Sequence, residues 1–298
     1  MALLTASTLT RGEIVALVEV ETAKQIAGFA RQTEQESREA RLRLDRDFTL
    51  GLYLGAGRRS NRTLTPQRYR QLATEITALT SCSDPGLFIQ RAFRSLVDHE
   101  TRGLGRMAGT TSNVLGKLVV PPLLNPPPGP VLEIGTLYGL FSPALIREFR
   151  RHGSFRALTV VDPFEGVQIQ PGTTSGSDPT GTPVTEQVAR DNFATCGLTS
   201  DEVRVIRGYS TDQQVRAVAA DDRYAVIVID GDHSAEGVLA DLQWVETIAR
   251  PGAVVVMDDY GDPMWSGVEM AVQQFLSAGG RLELLGTASS SAYLRMPV

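Results

Sequence analysis

The sequence is poor in the features that mark several classes of protein. Cysteine occurs only at Cys82 and Cys196, far apart and without ligand-like spacing, which argues against a zinc site or a disulfide framework. The formal net charge is −5 and there is no basic block, so no nucleic-acid partner is expected. No apolar run approaches the roughly 20 residues that span a bilayer, and the N-terminus lacks the pattern of a signal peptide. We expect a cytoplasmic protein that has no membrane partner.

The C-terminal two thirds of the chain alternate between apolar, β-branched runs and helical patterns. Such runs predict strands that are buried on both faces, as in a parallel sheet covered by helices. The alternation predicts a doubly wound α/β domain. Its seven expected strands cover residues 131–134, 157–161, 203–207, 225–229, 253–257, 281–285 and 292–296.

The N-terminal third has helical patterns and no strand pattern. Helices are predicted over 10–46, 66–80 and 85–98, with a glycine-containing loop over 51–61. The proline-rich stretch 125–130 separates this region from the first strand. We therefore predict an all-helical appendage over 1–105, acting as a lid or in homo-oligomerisation, and an α/β domain over 106–298.

Two neighbouring predicted strands end abruptly in carboxylates. Asp230 follows the fourth strand, Asp258 and Asp259 follow the fifth, and His233 comes three residues after Asp230. Ligands of open α/β sheets bind outside the carboxyl ends of the strands, so these side chains are expected at one crevice. Like charges so close need a cation or a shared proton. A turn followed by a helix cap near Met264 is the alternative for the paired acids, and a surface position is the alternative for the histidine.

The first strand leads into a glycine-containing turn, Glu133-Ile-Gly-Thr-Leu-Tyr-Gly139. Glycine allows a ligand to approach the backbone closely, and the following helix offers free N–H groups. The spacing lacks the third glycine of the dinucleotide fingerprint, and Glu133 suits a cationic ligand better than a phosphate. Asp162 ends the second strand, where a carboxylate can accept both hydroxyls of a ribose. A tight turn and a helix cap are the structural alternatives.

These motifs resemble a known family. Glu133–Gly139, Asp162 and Gly208-Tyr209-Ser210 resemble the nucleoside-binding motifs of class I S-adenosylmethionine-dependent methyltransferases, a Rossmann-like fold whose last strand is antiparallel. Ile229–Gly237 and Met257–Tyr260 resemble the metal-dependent O-methyltransferases of natural-product pathways, such as the macrocin- and mycinamicin-type sugar methyltransferases of antibiotic biosynthesis. The resemblance covers about residues 110–298.

The resemblance implies a role for each matching residue. Asp230, Asp258 and Asp259 would bind Mg²⁺ or another divalent cation, since hard cations prefer oxygen ligands. His233 would be the general base, with Asp230 sharing in catalysis. The residues implied in binding S-adenosylmethionine are Glu133, Gly135, Thr136, Tyr138, Gly139, Asp162, Gly208, Tyr209, Ser210 and Asp230.

The resulting prediction is a magnesium-dependent O-methyltransferase. Its acceptor would be a hydroxyl of a small secondary metabolite, with a sugar favoured and a catechol-like phenol as the alternative. Two other classes remain open, a nicotinamide-dependent dehydrogenase and a non-catalytic scaffold on the same fold. The enzyme is expected to be a homodimer or a higher homo-oligomer, and the long loop over 165–183 is expected to cover the site.

Overall fold

The computed structural model describes residues 10–53, 63–154, 156–165 and 181–298. It divides into two compact units, Met1–Phe48 and Thr49–Val298. Most of the first unit is helix α1, Arg11–Tyr53, which extends beyond the predicted end near residue 46 and runs through Gly51. A single glycine costs a helix only about 1 kcal/mol, so it did not end this one. Within the described ranges, no helix combines the length and the apolarity needed to cross a bilayer.

The second unit is built around one sheet of seven strands in the order β3-β2-β1-β4-β5-β7-β6. The first five strands pair in parallel, and β7 pairs antiparallel with both β5 and β6. The predicted doubly wound sheet with an antiparallel last strand is therefore confirmed. The strands are β1 Val131–Ile134, β2 Leu158–Asp162, β3 Val203–Arg207, β4 Tyr224–Ile229, β5 Ala249–Met257, β6 Glu283–Ala288 and β7 Ser291–Arg295.

Helices cover both faces of the sheet. Alternate residues of each central strand enter opposite cores, as shown by Val226 and Val228 on one face and Ile227 and Ile229 on the other. The first core includes residues of α2 to α6, and the second includes residues of α7 to α9. The helices are α2 Pro66–Thr80, α3 Gly86–Arg102, α4 Thr111–Leu123, α5 Phe141–Arg151, α6 Glu186–Thr195, α7 Gln213–Ala219, α8 Ala235–Ile248 and α9 Ser266–Ser277, and a 3₁₀ turn covers Pro263–Trp265.

Two boundaries in this unit differ by four residues from the predicted ones, and the other differences are smaller. Strand β5 begins at Ala249 rather than near 253, because Ala249 pairs with Tyr224 across a register irregularity. Helix α3 continues to Arg102 instead of ending near 98. The compact unit around the sheet begins at Thr49, so it includes α2 and α3, which contact α4. A separate helical domain over 1–105 stays a prediction.

Candidate active site

A cavity of about 410 Å³ opens at the carboxyl ends of the central strands. It lies beside β1 and β4, where the strand order changes direction and where ligands of doubly wound sheets bind. Of the predicted site residues, those lining it are Glu133, Gly135, Thr136, Asp230, His233 and Asp259. Other walls come from the segment between α3 and α4 and from residues 262–265.

The turn after β1 brings the backbone close to the end of β4. Gly135 has φ +81°, and a Cβ at this position would overlap the backbone of Asp230 and Gly231. Only glycine meets both the conformational and the steric requirement here. The turn therefore leaves a backbone-lined floor beneath the cavity, as the sequence motif predicts.

Asp162 fixes this turn through backbone hydrogen bonds. Its Oδ2 accepts from the N–H groups of Thr136 at 2.8 Å and Leu137 at 3.2 Å, and its Oδ1 accepts from the Phe164 N–H at 2.8 Å. The side chain is fully buried and does not line the cavity. Burial raises the pKa of Asp162, while these backbone hydrogen bonds act in the opposite direction. The structure thus gives Asp162 a role in holding the turn, and its predicted contact with a ribose stays a prediction.

Glu133 lies at the end of β1 and faces the cavity. Burial raises its pKa from 4.5 to about 7, although hydrogen bonds from Thr136 and Ser142 oppose this effect. The Thr136 hydroxyl donates to Glu133 Oε2 at 2.5 Å. A buried carboxylate on a cavity wall favours a cationic ligand group over an anionic one. This matches the charge expected of the ligand from the sequence.

The other predicted nucleoside-binding residues lie outside the cavity lining. Tyr138 is buried against Gly105, whose position would not admit a Cβ without overlap with the tyrosine ring. Gly208 donates its N–H to the Asp162 carbonyl at 3.1 Å, which places the Gly208–Ser210 segment beside the end of β2. Tyr209 is 48% exposed. Gly139, with φ +73°, closes the turn by donating to the Thr136 carbonyl at 2.9 Å.

Asp230, His233 and Asp259 line the same cavity and lie close together. His233 Nε2 is 2.9 Å from Asp259 Oδ2 and 3.9 Å from Asp230 Oδ1. Its ring lies 4.6 Å from that of Trp265, centroid to centroid. Among the described residues, no partner contacts the buried Nδ1 atom of His233. Nε2 is therefore the ring nitrogen that faces the acids.

The acids raise the basicity of this histidine. Burial lowers the pKa of His233, but the hydrogen bond to Asp259 and the charges of Asp230 and Asp259 outweigh burial, so the net shift is upward. Asp232, two residues away from Asp230, is exposed and accepts from the Ser234 N–H at 2.8 Å. It does not line the cavity.

Asp258 has a different environment from the other two acids. Its Oδ1 accepts from Asn113 Nδ2 at 2.7 Å and from Ser291 Oγ at 2.9 Å, and its Oδ2 is paired with Lys117 Nζ. Burial would raise the pKa of Asp258, but the Lys117 charge and these hydrogen bonds lower it. The capping alternative for the paired acids is not seen, because Asp262 caps the 3₁₀ turn.

Lys117 is the residue that sequence reasoning missed. Its Nζ also lies 3.3 Å from Asp230 Oδ2, and its side chain is only 2% exposed. Burial would lower its pKa, but the charges of Asp230 and Asp258 raise it. The available signal was a single lysine inside the apolar stretch Val114-Leu-Gly-Lys-Leu-Val-Val120, since a buried charge needs a partner.

The charge and geometry of the cluster fit a divalent cation. One ligand atom each from Asp230, His233 and Asp259 lie within 4.8 Å of one another. Three carboxylates against one ammonium leave two negative charges when His233 is neutral. Burial raises the pKa of Asp230 well above its ordinary range; Lys117 opposes this shift, and Asp258 and Asp259 add to it. A divalent ion would offset this surplus charge.

The sheet with its antiparallel last strand, the glycine turn and the cavity at the strand ends agree with the class I S-adenosylmethionine-dependent methyltransferase fold that the sequence predicts. Residues 132–260 match the family described as "Methyltransferase domain". The predicted enzyme class is confirmed. No curated protein matches the chain.

Several solved structures are similar to this chain. The O-methyltransferase NovP is 22% identical, with 78% of this chain and 100% of that chain covered and a TM-score of 0.47. Cofactor-bound Rv0187 from MTB is 20% identical, with 70% and 89% covered and a TM-score of 0.46. The calicheamicin methyltransferase CalS11 is 16% identical, with 78% and 94% covered and a TM-score of 0.46. Likeness at this distance carries no argument about activity.

Proposed function

We propose that this protein is a magnesium-dependent O-methyltransferase that methylates a hydroxyl of a small natural-product acceptor, with a sugar hydroxyl favoured. The observation that carries the proposal is the meeting of Asp230, His233 and Asp259 in a cavity that the glycine turn and Glu133 also line. The preference for a sugar rests on the resemblance of the segments 229–237 and 257–260 to sugar O-methyltransferases.

Each side of the cavity would hold one reaction partner. Glu133 and the backbone around Gly135 would bind S-adenosylmethionine, while Asp162 keeps the turn in shape. Asp230 and Asp259 would hold the divalent cation. When bound, the cofactor supplies the methyl group, and the cation lowers the pKa of the acceptor hydroxyl.

The protein's own groups would then move the proton and exclude water. The hydroxyl proton would pass to the His233–Asp259 pair, in which His233 Nε2 lies 2.9 Å from Asp259 Oδ2. Asp259 orients the imidazole and stabilises its protonated form, as the 2.9 Å contact and the raised pKa of His233 support. Trp265 packs against the same ring and lines the cavity, where it shields the site from solvent. Alignment of the hydroxyl with the methyl donor is the main catalytic contribution expected.

Calorimetric titration of S-adenosylhomocysteine into the purified protein tests the cofactor half of this proposal. NAD serves as the control ligand, because a nicotinamide-dependent dehydrogenase is the competing class. Binding of S-adenosylhomocysteine without binding of NAD is the expected result. Binding of NAD alone would refute the methyltransferase proposal. Activity screening with sugars and catechols as acceptors then separates the two acceptor classes.

A further inference from the structure

Helix α4 directs two polar side chains onto one carboxylate. Asn113 and Lys117 are four residues apart, so they lie on the same face of the helix. Both are buried in an otherwise largely apolar helix, and both contact Asp258. The helix precedes β1 in the chain and Asp258 follows β5, so this contact forms only in the folded protein.

The contacts of Asp258 use both of its oxygens. Asn113 and Ser291 donate to Oδ1, and Lys117 donates to Oδ2. The side chain of Asp258 is 3% exposed, against 20% for Asp230 and 19% for Asp259. Asp230 and Asp259 line the cavity, and Asp258 does not. Asp258 is thus a buried carboxylate with partners on both oxygens, whereas Asp230 and Asp259 face the cavity.

We propose that Lys117 is a positioning residue that holds Asp258 as an internal support, so that the cation is bound by Asp230 and Asp259 and not by Asp258. This inference rests on the proposed metal-dependent function and narrows its ligand set. Lys117 also contacts Asp230 Oδ2 at 3.3 Å, which leaves Oδ1 directed towards His233 and the cavity.

Binding of the cation by Asp258 would require Lys117 to move away. The Lys117 side chain is only 2% exposed, and its ammonium group lies 5.0 Å from the centre of the Phe141 ring at the inner end of the cavity lining. Its displacement would separate a buried ammonium from Asp258. That cost favours the arrangement in which lysine and aspartate stay paired.

Binding of Mn²⁺ alone, measured from the loss of its free electron paramagnetic resonance signal, tests the proposal without turnover. The key variant is Lys117→Met/Asp258→Asn, which removes the pair together and keeps the net charge of the cluster. It is expected to bind Mn²⁺ within about threefold of the wild type, whereas Asp259→Asn is expected to bind roughly 10–100-fold more weakly. A loss for the double variant as large as that for Asp259→Asn would make Asp258 a ligand and overturn the proposal.

Thermal unfolding of the same proteins tests the pairing itself. Lys117→Met alone leaves the buried Asp258 carboxylate without its cationic partner and is expected to lower Tm by roughly 5–15 °C. The double variant should recover most of that loss in Tm. A double variant no more stable than Lys117→Met would overturn the pairing. A wild type that binds S-adenosylhomocysteine but not Mn²⁺ would refute the metal dependence and, with it, the ligand set. If the wild type binds Mn²⁺ but the double variant loses that binding, the exclusion of Asp258 from the ligand set is refuted and the proposed metal-dependent function is not.

Discussion

At the carboxyl edge of the sheet, the ends of β2 and β5 each hold a buried carboxylate, and each stabilises it in a different way. At the end of β2, Asp162 is satisfied by three backbone N–H groups within its own turn and the neighbouring one. At the end of β5, Asp258 is satisfied by side chains from α4 and β7, including the Lys117 ammonium. The first arrangement is local and tied to a glycine motif, whereas the second depends on a tertiary contact. The first half, where the cofactor is expected and which we call the cofactor half, is therefore held by backbone hydrogen bonds. The second, which we call the acid half, is held by a tertiary ion pair and keeps a surplus of negative charge.

The largest effect is expected from Asp230→Asn in the acid half. Loss of a cavity-facing carboxylate should lower metal-dependent turnover by roughly 10²–10⁴-fold, because the cation and the base both depend on it. Affinity for S-adenosylhomocysteine should change little. Steady-state kinetics and calorimetry on one preparation measure both quantities.

Asp232→Asn is the matched control for this variant, since Asp232 is exposed and only caps the turn before α8. It should keep near wild-type turnover. Full activity of Asp230→Asn in the presence of a chelator would show that the acid half has no role in catalysis.

In the cofactor half, Gly135→Ala should have the next largest effect. The new Cβ would overlap the backbone after β4 at a positive φ, so we expect a loss of about 2–5 kcal/mol in the free energy of unfolding. Gly153→Ala also has positive φ but no atom within 4 Å of the added Cβ, and it should cost only about 1 kcal/mol. Equal losses in urea denaturation would mean that the close approach at Gly135 is unimportant.

The raised pKa of Glu133 predicts a pH-dependent stability. A carboxyl whose pKa rises from 4.5 to about 7 on folding binds more protons in the folded state, so stability falls as pH rises across that window. Glu133→Gln removes the penalty and should stabilise the cofactor-free protein by about 2–4 kcal/mol at pH 8, with little gain near pH 4.5. Unfolding at both pH values measures the difference.

The exposed Glu283 offers the control for this pH experiment, because Glu283→Gln should give no comparable pH-dependent gain. The stabilised Glu133→Gln protein should also bind S-adenosylmethionine more weakly, since it has lost the wall carboxylate. An equal shift in stability at pH 4.5 and pH 8 would contradict the buried-acid explanation.

A smaller effect is expected from Asp162→Ala. Loss of the acceptor for three N–H groups loosens the turn. Affinity for S-adenosylhomocysteine should fall roughly 10–100-fold, the equivalent of about one hydrogen bond to a charged group. Asp201→Ala, at a fully exposed acid, is the control. If Asp162→Ala instead abolished Mn²⁺ binding and spared the cofactor, the division of the edge into two halves would be wrong.

The same division explains what could be predicted from the sequence. The predicted strands β1 to β4 agree almost to the residue, because β1, β2 and β4 are buried along their whole length and each of the four strands ends at an acid or a glycine. The meeting of Asp230, His233 and Asp259 followed from the rule that parallel strands end at one edge.

What could not be predicted depends on contacts distant in sequence. The partnership of Lys117 with Asp258 joins residues 141 positions apart, and no local pattern indicates which acid a buried lysine will meet. Strand β5 begins early because Ala249 pairs with Tyr224, although the local Arg-Pro-Gly sequence is typical of a turn. Asp258 does not line the cavity because it packs against side chains of α4 and β7, and these contacts are also distant in sequence. Residues 166–180 of the loop predicted over 165–183 lie outside the described residues, so the predicted covering role of this loop stays a prediction.

The most direct test of the central claim is transfer of a labelled methyl group from S-adenosylmethionine to a panel of sugars and catechols, with Mg²⁺ or with a chelator. The account predicts a methyl ether on at least one acceptor, formed with Mg²⁺, lost with the chelator and absent for Asp230→Asn. Transfer that is undiminished by the chelator, or a product methylated on nitrogen or carbon, would contradict it.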